Sequence, residues 1–196
     1  MLRYTWLWFA VLFFWNCKNK PDSTLTIPQR EEPKIQLSLA QWSFHRALKA
    51  GEMDNFQFVE KAATLGFTGV EYVNQFFKDK AQDTAFLDKL NSIAKKNQIR
   101  QVLIMVDDEG NLADTSATER QKAVENHYKW VDAAAYLGCH AIRVNLYGNG
   151  SKDVVATAGI EGLTQLSNYA KAKNIDILVE NHGGYSSDAT WLTQVI

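Results

Sequence analysis

Apolar runs of strand length recur along this sequence at an interval of about 35 residues. The runs occupy residues 35–40, 69–73, 101–106, 141–146 and 175–179. Between them, as in residues 56–63 and 124–135, apolar side chains fall three and four positions apart, which predicts helices with one buried face. Continuous apolar strands that alternate with helices predict an α/β fold with a parallel sheet, either a barrel or a doubly wound sheet.

The first turn favours the barrel. Ala-Gln-Trp-Ser at residues 40–43 follows the first strand, where a nucleotide-binding doubly wound sheet would carry a glycine-rich phosphate loop. A complete (β/α)8 barrel has eight strands and about 250 residues, whereas this chain offers five βα units. Asp188 is a plausible N-cap of the fifth helix, within which the sequence stops. We therefore expect a partial, truncated barrel.

The N-terminus has the pattern of an export signal. Arg3 precedes an apolar run at residues 4–15, which is shorter than the roughly 20 residues that span a bilayer, and Cys17 stands where a lipid-modified cysteine would. Bulky residues at 14–16 depart from the usual pattern of small residues before such a cysteine, so an uncleaved signal anchor is the alternative. Both interpretations predict a domain outside the cytoplasm, on the periplasmic side, that meets the membrane only through its N-terminus.

The predicted domain organisation follows from these segments. Residues 1–17 are the lipoprotein signal, residues 18–33, which hold all three prolines, are a flexible linker, and residues 34–196 are the partial barrel. The formal net charge of -1, with Lys and Arg scattered, provides no basic surface for nucleic acid. Cys139 then has no intrachain disulfide partner in a lipidated protein, and we expect it to be a buried, unreactive thiol.

Polar or aromatic residues end each predicted strand, and in a barrel these ends meet at one mouth. The sharpest signal is Glu-Asn-His-Gly-Gly at residues 180–184, directly after a buried strand. Glu180 in a partly dry mouth needs a cation or a donor to stay charged, and a divalent metal meets that need. Asp-Asp-Glu at residues 107–109 is interpreted instead as a solvated turn, and His127 and Trp130 as helix packing.

Several of these segments carry a family resemblance. From about residue 35 onward the chain resembles the sugar phosphate isomerase/epimerase group of xylose isomerase-like barrels, through residues 41–43, 69–74, 143–145 and 179–184. The resemblance implies that Glu180 is both a metal ligand and a proton-transfer residue. It also implies three further ligands, an Asp, a His and a Glu, from strands six to eight. None of these is present here, so the chain alone is expected to bind metal weakly and to lack activity.

The implied activity is that of a divalent-metal-dependent sugar or sugar phosphate isomerase or epimerase. The metal, whether Mn, Mg, Co or Zn, would stabilise the enediolate that forms when a hydroxy-ketone loses a proton. His182 is the second predicted catalytic residue. The predicted substrate-binding residues are Trp42, His45, Glu71, Tyr72, Asn145 and Asn181.

Each of these residues has a structural alternative. Glu180 can belong to an ion pair, Trp42 can plug the barrel, and Arg143 is placed to pair with Glu71 across the sheet interior. Strand-end residues such as His45 and Asn145 often only cap neighbouring helices.

Three other functions compete with this interpretation. The DNA-repair endonucleases of the same barrel superfamily need histidines at the ends of strands two and three, where this chain has Tyr72 and Asp107. A keto-sugar dehydratase or lyase would share the metal and the proton abstraction. A non-catalytic sugar-binding lipoprotein would need neither. The sequence leaves the sugar and the oligomeric state open.

Overall fold

A computed structural model of the chain describes residues 35–196. The predicted signal segment, lipidation at Cys17 and the linker at residues 18–33 lie outside the described residues and remain predictions. Among residues 35–196, no helix combines the length and the apolar character that crossing a membrane requires.

Five strands form one sheet in the order β1-β2-β3-β4-β5, and every neighbouring pair is parallel. The strands are β1 (Ser38–Ala40), β2 (Gly69–Val73), β3 (Arg100–Val106), β4 (Ala141–Asn145) and β5 (Asp176–Glu180). The helices are α1 (His45–Ala50), α2 (Asn55–Thr64), α3 (Thr84–Lys96), α4 (Ala117–Leu137), α5 (Lys152–Lys171) and α6 (Ala189–Val195). This is the strand order of the first five units of a (β/α)8 barrel, as the alternating pattern predicted.

The strand bounds agree with the apolar runs to within one residue for four strands. The exception is β1, because only Ser38–Ala40 pairs with β2, and Ile35 stays 87% exposed. Gly138 closes α4 in the left-handed conformation, with φ of 72°, and Gly66 follows α2 with φ of 84°. Asp188 caps α6 by accepting from the backbone N–H groups of Thr190 and Trp191, as predicted.

The two faces of the sheet differ in composition. The helices cover the outer face, where the main core includes the fully buried Phe58, Ile142 and Leu166. The inner face, which corresponds to a barrel interior, has a small buried apolar cluster of Val73, Val102, Leu103, Met105 and Ala141.

The strand register places the predicted site on the inner face. Arg143 pairs in register with Leu178, and Asn145 with Glu180. Register partners in parallel strands point to the same side of the sheet, so all four side chains share one face. The alternating residues Ile177 and Val179 pack instead against the outer core.

Candidate active site at the carboxyl ends of the strands

An open cleft of about 660 Å³ lies at the carboxyl ends of the strands. Its lining draws on all five strands or the loops that follow them. The residues with side chains suited to binding or chemistry are Trp42, Asp107, Arg143, Asn145, Tyr147, Glu180 and His182. The end of the sheet where the sequence placed the site is therefore the end that forms a cleft.

Glu180 ends β5 on the inner face and forms an ion pair with Arg143. The Nη1 of Arg143 lies 2.7 Å from Oε2 of Glu180, and the two side chains are 19% and 27% exposed. The two groups are close, but their angles do not form an aligned hydrogen bond, so Oε2 of Glu180 has no hydrogen-bond partner. The Nε of Arg143 is also buried without a hydrogen-bond partner. We take the short distance as evidence of charge pairing, since Coulomb attraction depends little on angle. Arg143 thus pairs with Glu180 and not with Glu71.

Asn145 ends β4 beside this pair and bonds to the loop after β3. Its Nδ2 donates to Oδ1 of Asp107 at 2.7 Å, while its Oδ1 is buried without a partner. The backbone of Asp107 is held in turn by Asn74, whose side chain accepts from Asp107 N at 2.9 Å and donates to Asp107 O at 2.8 Å. Asp107 is therefore a fixed carboxylate of the cleft.

The segment at residues 107–109 was interpreted from sequence as a solvated turn, and this is wrong for Glu109. The Glu109 carboxylate is 13% exposed and accepts from Trp130 Nε1 at 2.7 Å and from Lys129 Nζ at 3.0 Å. Of the three acidic residues, only Asp108, with φ of 62°, is exposed. The sequence signal for this contact was the pair Lys129 and Trp130 on α4, the helix that follows the turn and packs against it.

Helix packing was the correct interpretation of His127 and Trp130, which are 2% and 0% exposed. The Nδ1 of His127 lies 2.7 Å from the carbonyl oxygen of Ala123, and burial lowers the pKa of the imidazole. His127 also reaches the cleft lining, so it contributes a neutral ring to the wall.

Four predicted substrate-binding residues do not line the cleft. Tyr72 points to the outer face, where it is fully buried and donates from its hydroxyl to Oε1 of Gln101 at 2.8 Å. Substrate stacking by Tyr72 is therefore a wrong prediction, since a strand's alternate side chains point to opposite faces and Glu71 takes the inner one. Burial raises the pKa of the Tyr72 phenol well above its ordinary value.

Glu71, His45 and Asn181, the other three residues that do not line the cleft, differ in their surroundings. Glu71 accepts a hydrogen bond from Oγ of Ser38 on the inner face. His45 stacks on Trp42 at 5.0 Å between ring centroids and holds the Trp42 carbonyl through Nδ1 at 2.8 Å. Asn181 is exposed. Trp42 itself lines the cleft, with 42% of its surface exposed.

His182 faces the cleft from the loop after β5 and bonds to the loop after β4. The hydroxyl of Tyr147 lies 2.6 Å from Nδ1 of His182 and 2.5 Å from its carbonyl oxygen. Sequence reasoning did not single out Tyr147, although its place directly after a strand end was a usable signal.

The described residues offer oxygen ligands for a divalent cation but only a partial set. Glu180 Oε2 and Asn145 Oδ1 are buried oxygens without hydrogen-bond partners, and hard divalent cations prefer such ligands. Within residues 35–196, no cluster of three or more His, Cys, Asp or Glu side chains converges as a metal site would require. Oxygen donors of this kind suit a divalent cation, which would compete with Arg143 for Oε2 of Glu180.

Comparison with known families assigns the fold. Residues 59–192 match the family described as xylose isomerase-like TIM barrel, which covers more than half of the chain. The chain belongs to this family. The resemblance that rested on the strand-end motifs is confirmed by this match.

Solved structures share the fold at low sequence identity. A D-psicose 3-epimerase, crystallised in the presence of D-fructose, is 20% identical, with a TM-score of 0.59 over 73% of this chain and 55% of the other. The probable 3-DHS dehydratase AsbF of Bacillus anthracis is 16% identical, with a TM-score of 0.62 over 82% and 59%. The IOLI protein with a bound zinc atom is 12% identical, with a TM-score of 0.61 over 74% and 51%.

The chain therefore spans about half the length of the structures that it matches. A search of curated proteins found no match. By their own descriptions these neighbours include a D-psicose 3-epimerase and a probable 3-DHS dehydratase, and what they share with this chain is the fold.

Proposed function

We propose that this protein is a divalent-metal-dependent isomerase or epimerase of sugars, or of sugar phosphates, in which Glu180 transfers the proton. The observation that carries the proposal is the position of Glu180. It ends a parallel strand on the inner face, 2.7 Å from Arg143, in a cleft that it shares with Asn145 and His182. Catalytic groups of this fold lie at the carboxyl ends of the strands.

The surroundings of Glu180 suit a proton acceptor. Its Oε2 pairs with the Arg143 guanidinium at 2.7 Å, while the Glu180 side chain stays 27% exposed and lines the cleft. In the proposed reaction Glu180 takes the proton from the carbon next to a sugar carbonyl, and the carbon keeps the electron pair as an enediolate. Delivery of the proton to the neighbouring carbon gives an isomer, and delivery of a proton to the opposite face of the same carbon, by a second acid on that face, gives an epimer.

The other residues of the cleft would bind and orient the sugar. Trp42, which is 42% exposed, offers aromatic surface to a sugar ring, and Asn145 lines the cleft in register with Glu180, where an amide would contact a hydroxyl. A divalent ion held partly by Glu180 would polarise the carbonyl and hydroxyl oxygens of the substrate. The zinc atom in the IOLI structure, which shares the fold, supports the inclusion of a metal.

The test is solvent-deuterium incorporation by the full-length, metal-loaded protein into a panel of keto-sugars. Glu180→Gln keeps the shape and removes the base, so exchange should fall by at least 100-fold, within the range that general bases contribute. Glu161→Gln is the matched control. Its carboxylate pairs with Arg120, on α4, away from the cleft, and exchange should stay within about twofold.

Unchanged exchange in Glu180→Gln would contradict the role of Glu180. Loss of water from the substrate, measured as an unsaturated product, would favour a dehydratase, the function of the AsbF neighbour by its description. Sugar binding with no exchange in the parent would favour a non-catalytic binding protein. The three outcomes separate the candidate functions on one preparation.

A further inference from the structure

The hydroxyl of Tyr147 bridges two loops at the cleft in a way that determines where one proton lies. It contacts two atoms of His182, the carbonyl oxygen at 2.5 Å and the ring Nδ1 at 2.6 Å. Both distances are short, as expected for hydrogen bonds in close contact.

Counting donors assigns the protons. A carbonyl oxygen only accepts, so the single proton of the Tyr147 hydroxyl serves the His182 carbonyl. The contact with Nδ1 is then a hydrogen bond only if Nδ1–H donates to the Tyr147 oxygen. A neutral imidazole carries one N–H, so its Nε2 holds a lone pair.

The backbone holds both partners in place. Tyr147 O accepts from Ala113 N at 3.2 Å, and the next residue, Gly148, lies so near that an added Cβ would be 2.1 Å from Ala113 O. On the other side, His182 N donates to Glu180 O at 3.0 Å, and Gly183 N donates to Ser187 Oγ at 3.0 Å. A side chain held in one tautomer needs such support, because a mobile loop would let the ring rotate.

We propose that Tyr147 is a positioning residue that holds His182 as the Nδ1–H tautomer, so that Nε2 accepts a hydrogen bond from a substrate hydroxyl. The proposal rests on the proposed function, since His182 and Glu180 line the same cleft. Within residues 35–196, Nε2 of His182 has no hydrogen-bond partner. A lone pair accepts from a sugar hydroxyl and repels a phosphate oxygen, so this position recognises a neutral hydroxyl-bearing part of the substrate.

The test reads the tautomer directly. Long-range ¹H–¹⁵N spectra of the histidine rings distinguish protonated from unprotonated ring nitrogens, at about pH 8.5, where an ordinary histidine is neutral. His45 and His127 are internal references, because their Nδ1 atoms lie 2.8 Å and 2.7 Å from backbone carbonyl oxygens and must donate. The His182 signals are assigned by their loss in His182→Gln.

The expected result is an Nδ1–H pattern for His182 in the parent and its loss in Tyr147→Phe. Tyr185→Phe is the matched control, because Tyr185 and Tyr147 are 36% and 37% exposed and the Tyr185 hydroxyl donates to Gly150 O at 3.0 Å across the same pair of loops. This control should leave the His182 pattern unchanged. An Nε2–H pattern in the parent, or an unchanged pattern in Tyr147→Phe, would overturn the proposal.

Kinetics test the consequence for substrate. Loss of one well-placed hydrogen bond corresponds to about a tenfold rise in KM, with kcat less affected. We expect that rise in Tyr147→Phe and not in Tyr185→Phe. Equal KM values in the parent and Tyr147→Phe would overturn the assignment of Nε2 to a substrate hydroxyl. The spectra require neither sugar nor metal, so a parent with the Nδ1–H pattern and no deuterium exchange would contradict the proposed function while leaving Tyr147 as a positioning residue.

Discussion

The two faces of the sheet use the same strands for different purposes. On the outer face, alternate residues such as Ile142 and Val144 are fully buried under helices. On the inner face, the neighbours Arg143 and Asn145 are half-buried and polar, and their buried atoms include hydrogen-bonding groups left without partners. Buried unpaired polar groups reduce stability, so their concentration on one face indicates that this face is built for binding more than for stability.

The largest expected difference between the faces is in the effect of deleting a leucine side chain. Leu166 is fully buried on the outer side, whereas Leu178, on the inner face, is 41% exposed. Leu166→Ala should lower the free energy of unfolding by about 2–5 kcal/mol, because it removes buried methyl groups and leaves a cavity. Leu178→Ala should cost less than about 1 kcal/mol, since much of its side chain already meets solvent.

Denaturant titrations of the two variants measure both changes. Equal losses would show that the inner face is as tightly packed in solution as the outer one, and the comparison between the faces would fail.

A smaller difference is expected between two ion pairs. Arg143 and Glu180 lie on the inner face with 19% and 27% of their side chains exposed, whereas Arg120 and Glu161 lie between α4 and α5 with 10% and 51% exposed. A double-mutant cycle with Arg143→Met and Glu180→Gln should give a coupling energy of about 1 kcal/mol. The cycle at Arg120 and Glu161 should give about half of that, because water and salt screen the exposed Glu161 carboxylate.

Varying the ionic strength tests the same comparison between the two ion pairs. Raising the ionic strength from 0.05 to about 1 M should reduce the coupling more at the outer pair, since the Debye length falls from more than 10 Å to about 3 Å. A larger outer coupling at both ionic strengths would contradict the view that Arg143 holds Glu180 as a partly dry charge pair.

The smallest effect at neutral pH concerns Cys139, a free thiol in the outer core. It is 6% exposed, and burial raises its pKa from an ordinary value of 9.0 to about 12. The folded pKa lies above the unfolded one, so the associated stability is complete below about pH 9 and decreases as the pH rises towards about 12. Cys139→Ala should abolish this pH dependence. The difference in free energy of unfolding between the two proteins should therefore be constant below about pH 9 and change only above it.

The measurement is the difference in free energy of unfolding between Cys17→Ser and Cys17→Ser/Cys139→Ala from pH 7 to 11. Alkylation supplies the control, since the native Cys139 should react far more slowly than the thiol of the unfolded chain. Rapid native alkylation would mean that this part of the outer core opens readily.

Most of the fold could be predicted because its signals are local. Strands β2 to β5 follow from apolar runs, α2 and α4 from apolar spacing, and the N-cap of α6 from Asp188, and each of these depends on residues within one turn or one strand. The first strand was predicted too long, since its bounds depend on pairing with β2, which is a tertiary contact.

The site was predicted at the level of the strand ends but not of the individual contacts. Glu180, His182, Asn145 and Trp42 were correctly placed at one cleft, because parallel strands bring their carboxyl ends together. The prediction for Tyr72 was wrong because local sequence does not show which of two adjacent strand residues points to the inner face. Tyr147 was missed because its partner, His182, is 35 residues away in the chain.

The sequence by itself determined the alternation of strands and helices, the parallel sheet and the carboxylate at the end of the fifth strand, since these depend on hydrophobic periodicity and on residue order. Only the tertiary structure decided that Arg143 faces Glu180, that Asp107 bonds to Asn145 and that a tyrosine hydroxyl lies against an imidazole. The physical reason is range. Periodicity acts over a few residues, whereas an ion pair or a hydrogen bond depends on ångström distances between segments that folding brings together.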